Sequence, residues 1–186
     1  MSMWYWVRHG PTHAKTFVGW RDLPADLSDT AALERLRAYL PDAAIVVASD
    51  LRRASATADA LDGRRLPDRP QLREFHFGAW DGQAFGRIAE DFPTLSRAYW
   101  ETPGDPCPPG GESWNTAANR IETAVTQIEA AHQGPFIAVA HIGVILTQVQ
   151  RVMGLTPMQA IGHKIDNLSV TSLDRSAGTG VINHVA

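Results

Sequence analysis

Cysteine is nearly missing from this sequence. Cys107 stands alone among 186 residues, so no disulfide can close within the chain and a thiolate metal cluster has too few ligands. Long apolar runs are missing as well: none approaches the ~20 residues that span a bilayer. The short apolar stretch at the N-terminus has no basic segment before it, as a secretory signal would. The expectation is a cytoplasmic protein with no membrane partner. An excess of positive charge is also absent. The formal net charge is −3, and a general nucleic-acid partner calls for a basic stripe. A local cationic pocket is still allowed. Internal repeats and low-complexity tracts do not occur.

What the sequence does hold is ordinary globular material, 44% apolar and 20% charged. Its length suits one domain over residues 1–186, elaborated by an irregular segment at about 75–111. A chain of this size buries roughly 70% of its unfolded surface. The first strand reads as Met3–Val7. Ser28 is placed to cap a helix running to about Leu40, and Pro41 ends it. The unbroken apolar run Ala43–Ala48 suits a strand buried on both faces. An alanine-rich helix follows over 54–61, then a connector at 62–70 and a short strand near Gln71–Glu74. Helices are expected near Phe85–Phe92 and Thr94–Tyr99. Ser113 caps a long helix to about His132, on which Ala117, Ile121, Val125 and Ile128 share one face. Phe136–Ala140 is another apolar strand, and a helix from about Val144 to Met153 ends at Gly154. Ser169–Leu173 and Gly180–Val185 complete the set.

Strands alternating with helices predict an α/β fold, a three-layer α/β/α sandwich with a mainly parallel central sheet. Ligands of such sheets sit outside the carboxyl ends of the strands. Three expected strands end in residues suited to phosphate: Arg8-His9, Ser49 through Arg53, and His141. A histidine works as nucleophile or acid/base near neutral pH, and an arginine grips an oxyanion with a planar fork.

Four segments then carry a resemblance. Arg8-His9-Gly10-Pro11-Thr12 closes the first strand. Ser49-Asp50-Leu51-Arg52-Arg53-Ala54 resembles Ser-Pro-Leu-x-Arg-Ala, with an aspartate for the proline. Leu72-Arg73-Glu74 through Gly78-Ala79-Trp80-Asp81-Gly82 resembles Leu-x-Glu-x-x-x-Gly-x-Trp-Glu-Gly. His141-Ile142-Gly143 resembles His-Gly-Gly, with Ile142 for the first glycine. In this order they are similar to the signature of the histidine phosphatase superfamily, also called phosphoglycerate mutase-like. Ile165–Thr171 resembles the late strand of that family, and Gly110-Gly111-Glu112-Ser113 a loop at its pocket rim.

The resemblance implies the phosphoglycerate mutase-like fold and a phosphatase that needs no metal and no cofactor. It makes His9 the nucleophile that becomes a phosphohistidine, with its second ring nitrogen held by an acceptor that the motif does not name. Glu74 becomes the acid that protonates the leaving alkoxide. Arg8, Arg53, Thr12 and a protonated His141 become the phosphate-binding set. Lys15 stands where the family often has asparagine and faces either phosphate or solvent. Glu112 is either a capping residue or a ligand. Trp20, Trp80, Trp100 and Trp114 are expected in core packing, with a pocket mouth as their alternative. A small phosphorylated substrate is the expected partner, its leaving group and the oligomeric state left open. Phosphoglycerate mutase-type transfer is the rival reading. A metallohydrolase and a phosphate-binding protein without catalysis stand further off.

Overall fold

The computed structural model describes residues 2–186. Its frame is a six-stranded sheet in the order β3-β2-β4-β1-β5-β6. The strands are β1 (Met3–Arg8), β2 (Ile45–Ala48), β3 (Arg64–Arg65), β4 (Phe136–Ala140), β5 (Val170–Asp174) and β6 (Thr179–His184). β3, β2, β4 and β1 run parallel. β5 pairs antiparallel with β1, and β6 with β5, so the two late strands form an antiparallel hairpin on one side.

Side chains alternate across β4. Phe136, Ala138 and Ala140 enter one core with Trp4 and Trp6, while Ile137 and Val139 enter a second core with Val7. A strand buried on both faces needs a helical layer over each, which is why Phe-Ile-Ala-Val-Ala carries no polar residue. The first face is covered by α5 (Trp114–Ala131) and α6 (Ile142–Met153), the second by α1 (Thr30–Tyr39) and α2 (Arg52–Asp59). The expected three layers are therefore present. Trp4 stacks on Trp6 at 5.1 Å and on Phe136 at 4.6 Å between ring centroids, which anchors β1 to β4.

Residues 75–111 hold α3 (Phe85–Asp91) and α4 (Pro93–Glu101). They pack a small core of their own from Phe17, Trp80, Ile88 and Tyr99. A last short helix, α7, spans Pro157–Ile161. No helix among the described residues is long and apolar enough to cross a membrane.

Several local expectations need correction. Gln71–Glu74 is not a strand: Pro70–Leu72 forms a 3-10 turn, which proline starts readily because it has no amide to satisfy. The strand of that region is Arg64–Arg65, inside the expected connector, where the sheet edge recruits two residues by backbone pairing alone. Helix α1 is capped by Asp29, whose side chain accepts from the Ala32 amide at 2.9 Å, while Ser28 donates instead to Asp26. Helix α7 was not expected. Its signal was present as Thr156-Pro157-Met158-Gln159, a reciprocal capping box with proline in the first turn.

Candidate active site

Sheet register brings the chemistry together. Arg8 pairs with Ala140 across the parallel ladder, and Ala48 with Val139. The His9 amide donates to the Ala140 carbonyl at 3.1 Å and the Ser49 amide to Val139 at 3.1 Å. Each chain therefore leaves the sheet at the same level, and the rings of His9 and His141 lie 5.0 Å apart, edge to face. Above them opens a cavity of about 510 Å³, whose floor includes Arg8, His9, Thr12, Arg53 and Glu74. His141 does not line this cavity. It is fully buried against His9.

His9 is held in one tautomer. Its Nδ1 lies 2.7 Å from the Gly10 carbonyl oxygen. A carbonyl only accepts, so Nδ1 carries the proton and Nε2 keeps its lone pair. The acceptor that the motif left unnamed is thus the backbone of the next residue. Gly10 is itself fixed, its amide donating to Thr57 Oγ1 at 3.0 Å, and the Thr57 hydroxyl donates on to the Arg53 carbonyl at 2.7 Å. Asn167 Nδ2 donates to the His9 carbonyl at 2.8 Å. A side chain at Gly10 would collide, since its Cβ would fall 2.6 Å from Leu27 Cδ2. Burial, aided by the charges of Arg53 and Arg8 and opposed by the Gly10 bond, lowers the His9 pKa to about 3. The imidazole is neutral at physiological pH.

Both arginines are spent on carbonyls rather than carboxylates. Arg53 is 1% exposed and donates to Arg21 O at 2.8 Å and Gly19 O at 2.7 Å, and Arg8 donates to Ile165 O at 2.6 Å. Among the described residues neither forms an ion pair with a carboxylate, although other arginines do. A buried and a half-buried cation with no directly paired carboxylate are suited to receive an anion, because an unpaired charge away from water is costly. The carbonyls that orient Arg53 are in turn set by Asp81. Its carboxylate accepts from the amides of Gly19 (3.1 Å), Trp20 (2.9 Å) and Arg21 (3.1 Å). That is the work of the aspartate in Trp80-Asp81-Gly82.

Glu74 is buried beside the arginines. Its carboxyl accepts from the Phe75 amide at 2.9 Å and the Gly143 amide at 3.3 Å. Burial raises its pKa above the usual carboxylate range, against the opposing pull of those two amides and of Arg53 and Arg8. The segment before it is clamped by Arg120, which donates to the carbonyls of Gln71 (2.6 Å) and Arg73 (3.1 Å), while Trp20 Nε1 donates to the Glu74 carbonyl at 2.7 Å.

His141 was expected as a protonated donor. Burial, with His9 and the arginines adding to it, pushes its pKa well below the usual histidine value, so the ring is neutral in the free protein. Neither of its nitrogens has a hydrogen-bond partner among the described residues. A neutral imidazole still offers one N–H to an oxyanion.

The remaining sequence candidates divide. Thr12 and Lys15 line the cavity, Lys15 on its exposed rim. Asp50, in the place of the motif proline, pairs with Arg73 through two contacts of 2.8 and 2.5 Å. Glu112 accepts from the His76 amide at 2.9 Å and pairs with Arg120, a structural role. Trp100 and Trp114 line the cavity, Trp80 is fully buried in the small core, and Trp20 is partly exposed with the Arg73 guanidinium 5.0 Å from its ring centre. Sequence reasoning missed Thr57 and Asn167. Asn167 lay within the Ile165–Thr171 resemblance, but Thr57 sits in an alanine-rich helix with no signal to mark it.

Known proteins resemble this chain in sequence and in fold. The chain is 33% identical over 167 residues to a glucosyl-3-phosphoglycerate phosphatase of Mycolicibacterium vanbaalenii, covering 80% of this chain and 73% of that protein. It is 34% identical over 106 residues to a metal-independent phosphoserine phosphatase of Arabidopsis thaliana, covering 54% of this chain and 44% of that one. The solved native structure of a mycobacterial glucosyl-3-phosphoglycerate phosphatase superposes with a TM-score of 0.79 at 27% identity, over 99% of both chains. Residues 4–186 match the histidine phosphatase superfamily (branch 1). With the motifs, the fold and the converging strand ends in agreement, the chain belongs to that superfamily.

Proposed function

We propose that this protein is a metal-independent phosphatase that hydrolyses a small phosphomonoester through a phosphohistidine on His9. The observation that carries the reading is the His9 tautomer. A neutral ring presents an unprotonated Nε2 while Gly10 holds the Nδ1 proton, beside Arg53, which is buried, and Arg8, which is half-buried, neither in an ion pair with a carboxylate. The phosphoryl oxygens are placed by Arg8 and Arg53, and His141 backs the His9 ring from beneath the cavity. Nε2 attacks phosphorus in line, forming the N–P bond as the P–O bond to the leaving group breaks. Glu74, whose protonated form is favoured by burial, gives its proton to the departing alkoxide. It then takes a proton from water as that oxygen attacks phosphorus, releasing phosphate and restoring both groups. Transfer of this kind depends on placement and charge more than on covalent help from the protein, and acid–base assistance adds roughly 10²–10⁴-fold. Relatives named as phosphatases of glucosyl-3-phosphoglycerate and of phosphoserine support the reaction class.

The test assays phosphate release from a panel of phosphomonoesters in the presence of a chelator, with wild type and His9→Ala in parallel. The wild type should turn over and form an acid-labile phosphoenzyme. The variant should lose at least about a thousandfold while retaining its melting temperature. Wild-type-like turnover by His9→Ala would overturn the mechanism. Discharge of the phosphoenzyme to monophosphoglycerate rather than to water would make the protein a mutase.

A further inference from the structure

Beyond its cationic floor the cavity changes character. Phe17 is the hub of an aromatic wall. Its ring centre lies 4.3 Å from Phe85, 4.9 Å from Phe77 and 5.9 Å from Trp100. The cavity lining also includes Ile142 and Leu146 from α6. Ile142 occupies the position where the resembled motif has glycine, so this chain adds a branched apolar side chain to a wall that would otherwise be bare backbone. Phe17 belongs to the separate core shared with Trp80 and Tyr99, so the wall rests on packing independent of any ligand. Phe85 is nonetheless 59% exposed and Trp100 39%. Exposed aromatic rings beside an anion site are apolar surface that a ligand can cover.

Polar partners are scarce by comparison. The Thr16 hydroxyl is already engaged by Arg21, which donates to it at 3.0 Å. Arg8 and Arg53 belong to the phosphoryl group. The remaining cation, Lys15, is on the exposed rim, where solvent and salt screen a point charge. A carboxylated or polyhydroxylated leaving group would surrender its water against this wall and regain few hydrogen bonds.

We propose that the cavity selects phosphomonoesters of apolar, ring-bearing alcohols with no second charge. The proposal rests on the phosphatase reading above and specifies its substrate class. The ring of the leaving group lies against the Phe17–Phe85–Trp100 panel and Ile142, with its phosphoryl group on the arginines.

The experiment compares kcat/KM for 2-phenylethyl phosphate with that for glycerol 3-phosphate, 3-phosphoglycerate and glucose 6-phosphate. All four release alkoxides, so the comparison reads recognition rather than leaving-group activation. The phenylethyl ester should be favoured by at least about tenfold, the scale on which an apolar pocket discriminates. Phe85→Ser, at a largely exposed position, and Ile142→Gly should each reduce that ratio severalfold. Faster release from any of the three polar esters would overturn the proposal and leave the phosphatase reading intact, as would a ratio unmoved by both variants. Release from none of the four would overturn the phosphatase reading. Calorimetry with 2-phenylethylphosphonate and methylphosphonate then tests the apolar wall by itself. Tighter binding of the first by about tenfold is expected, and equal affinities would overturn the proposal.

Discussion

The Glu74 carboxyl and the Gly143 backbone are built against each other. The Gly143 amide donates to one carboxyl oxygen at 3.3 Å, and a Cβ on Gly143 would fall 2.5 Å from the other. The same Cβ would lie 2.9 Å from the Phe75 ring. A glycine in the first turn of α6 is therefore what lets the carboxyl reach the end of the sheet. Gly143→Ala should displace Glu74 and lower kcat by about tenfold or more, while the melting temperature falls only modestly. Steady-state kinetics beside thermal unfolding check this. An unchanged kcat would show that the carboxyl position is not critical.

The pH profile follows from the two shifted groups. His9 is neutral above about 3, so the nucleophile is available throughout the ordinary range. In the proposed mechanism Glu74 gives a proton to the leaving group, and its raised pKa favours the protonated form above the usual carboxylate range. Activity should accordingly be sustained in acid and fall as pH rises through the Glu74 pKa. Glu74→Gln should be slower by roughly 10²–10⁴-fold and should lose that alkaline limb. Comparing the two proteins on one substrate removes the substrate's own titration from the difference. An alkaline limb that persists in Glu74→Gln would assign it to another group.

Asp81 acts on Arg53 at one remove. Its carboxylate gathers the Gly19, Trp20 and Arg21 amides, and the Gly19 and Arg21 carbonyls then receive the Arg53 guanidinium. Asp81→Ala should loosen this turn and weaken inhibition by inorganic phosphate by about tenfold, one charge-assisted contact's worth of affinity. Competition kinetics read the phosphate constant directly. Wild-type inhibition by phosphate would mean that Arg53 is positioned without the turn.

Much of the site was legible in the linear order of residues because α/β architecture ties strand ends to ligands. Arg8-His9 and His141 follow directly on apolar runs too uniform to be anything but buried parallel strands, and the register of β1 with β4 had only to bring those ends level. Helix boundaries were legible where a cap and an apolar stripe coincided, as at Ser113. They were not where the structure rests on backbone pairing alone, as at Arg64–Arg65, or where proline favoured a 3-10 turn over an extended segment, as at Pro70–Leu72. Lys15 and Glu112 carried alternatives that only surroundings could separate, and those surroundings are the open rim for one and Arg120 for the other.

Periodicity and residue chemistry are local properties, so the layered sheet and the charged groups at its edge were already written in the linear chain. How those groups behave followed from folding. The Gly10 carbonyl set the proton on Nδ1 of His9, while burial raised the Glu74 pKa and left both histidine rings neutral. Thr57 holds the Gly10 amide across 47 residues of chain, and Asp81 holds the Gly19 amide across 62. Proton affinity and orientation depend on what surrounds a side chain in space, and no stretch of chain contains its own surroundings.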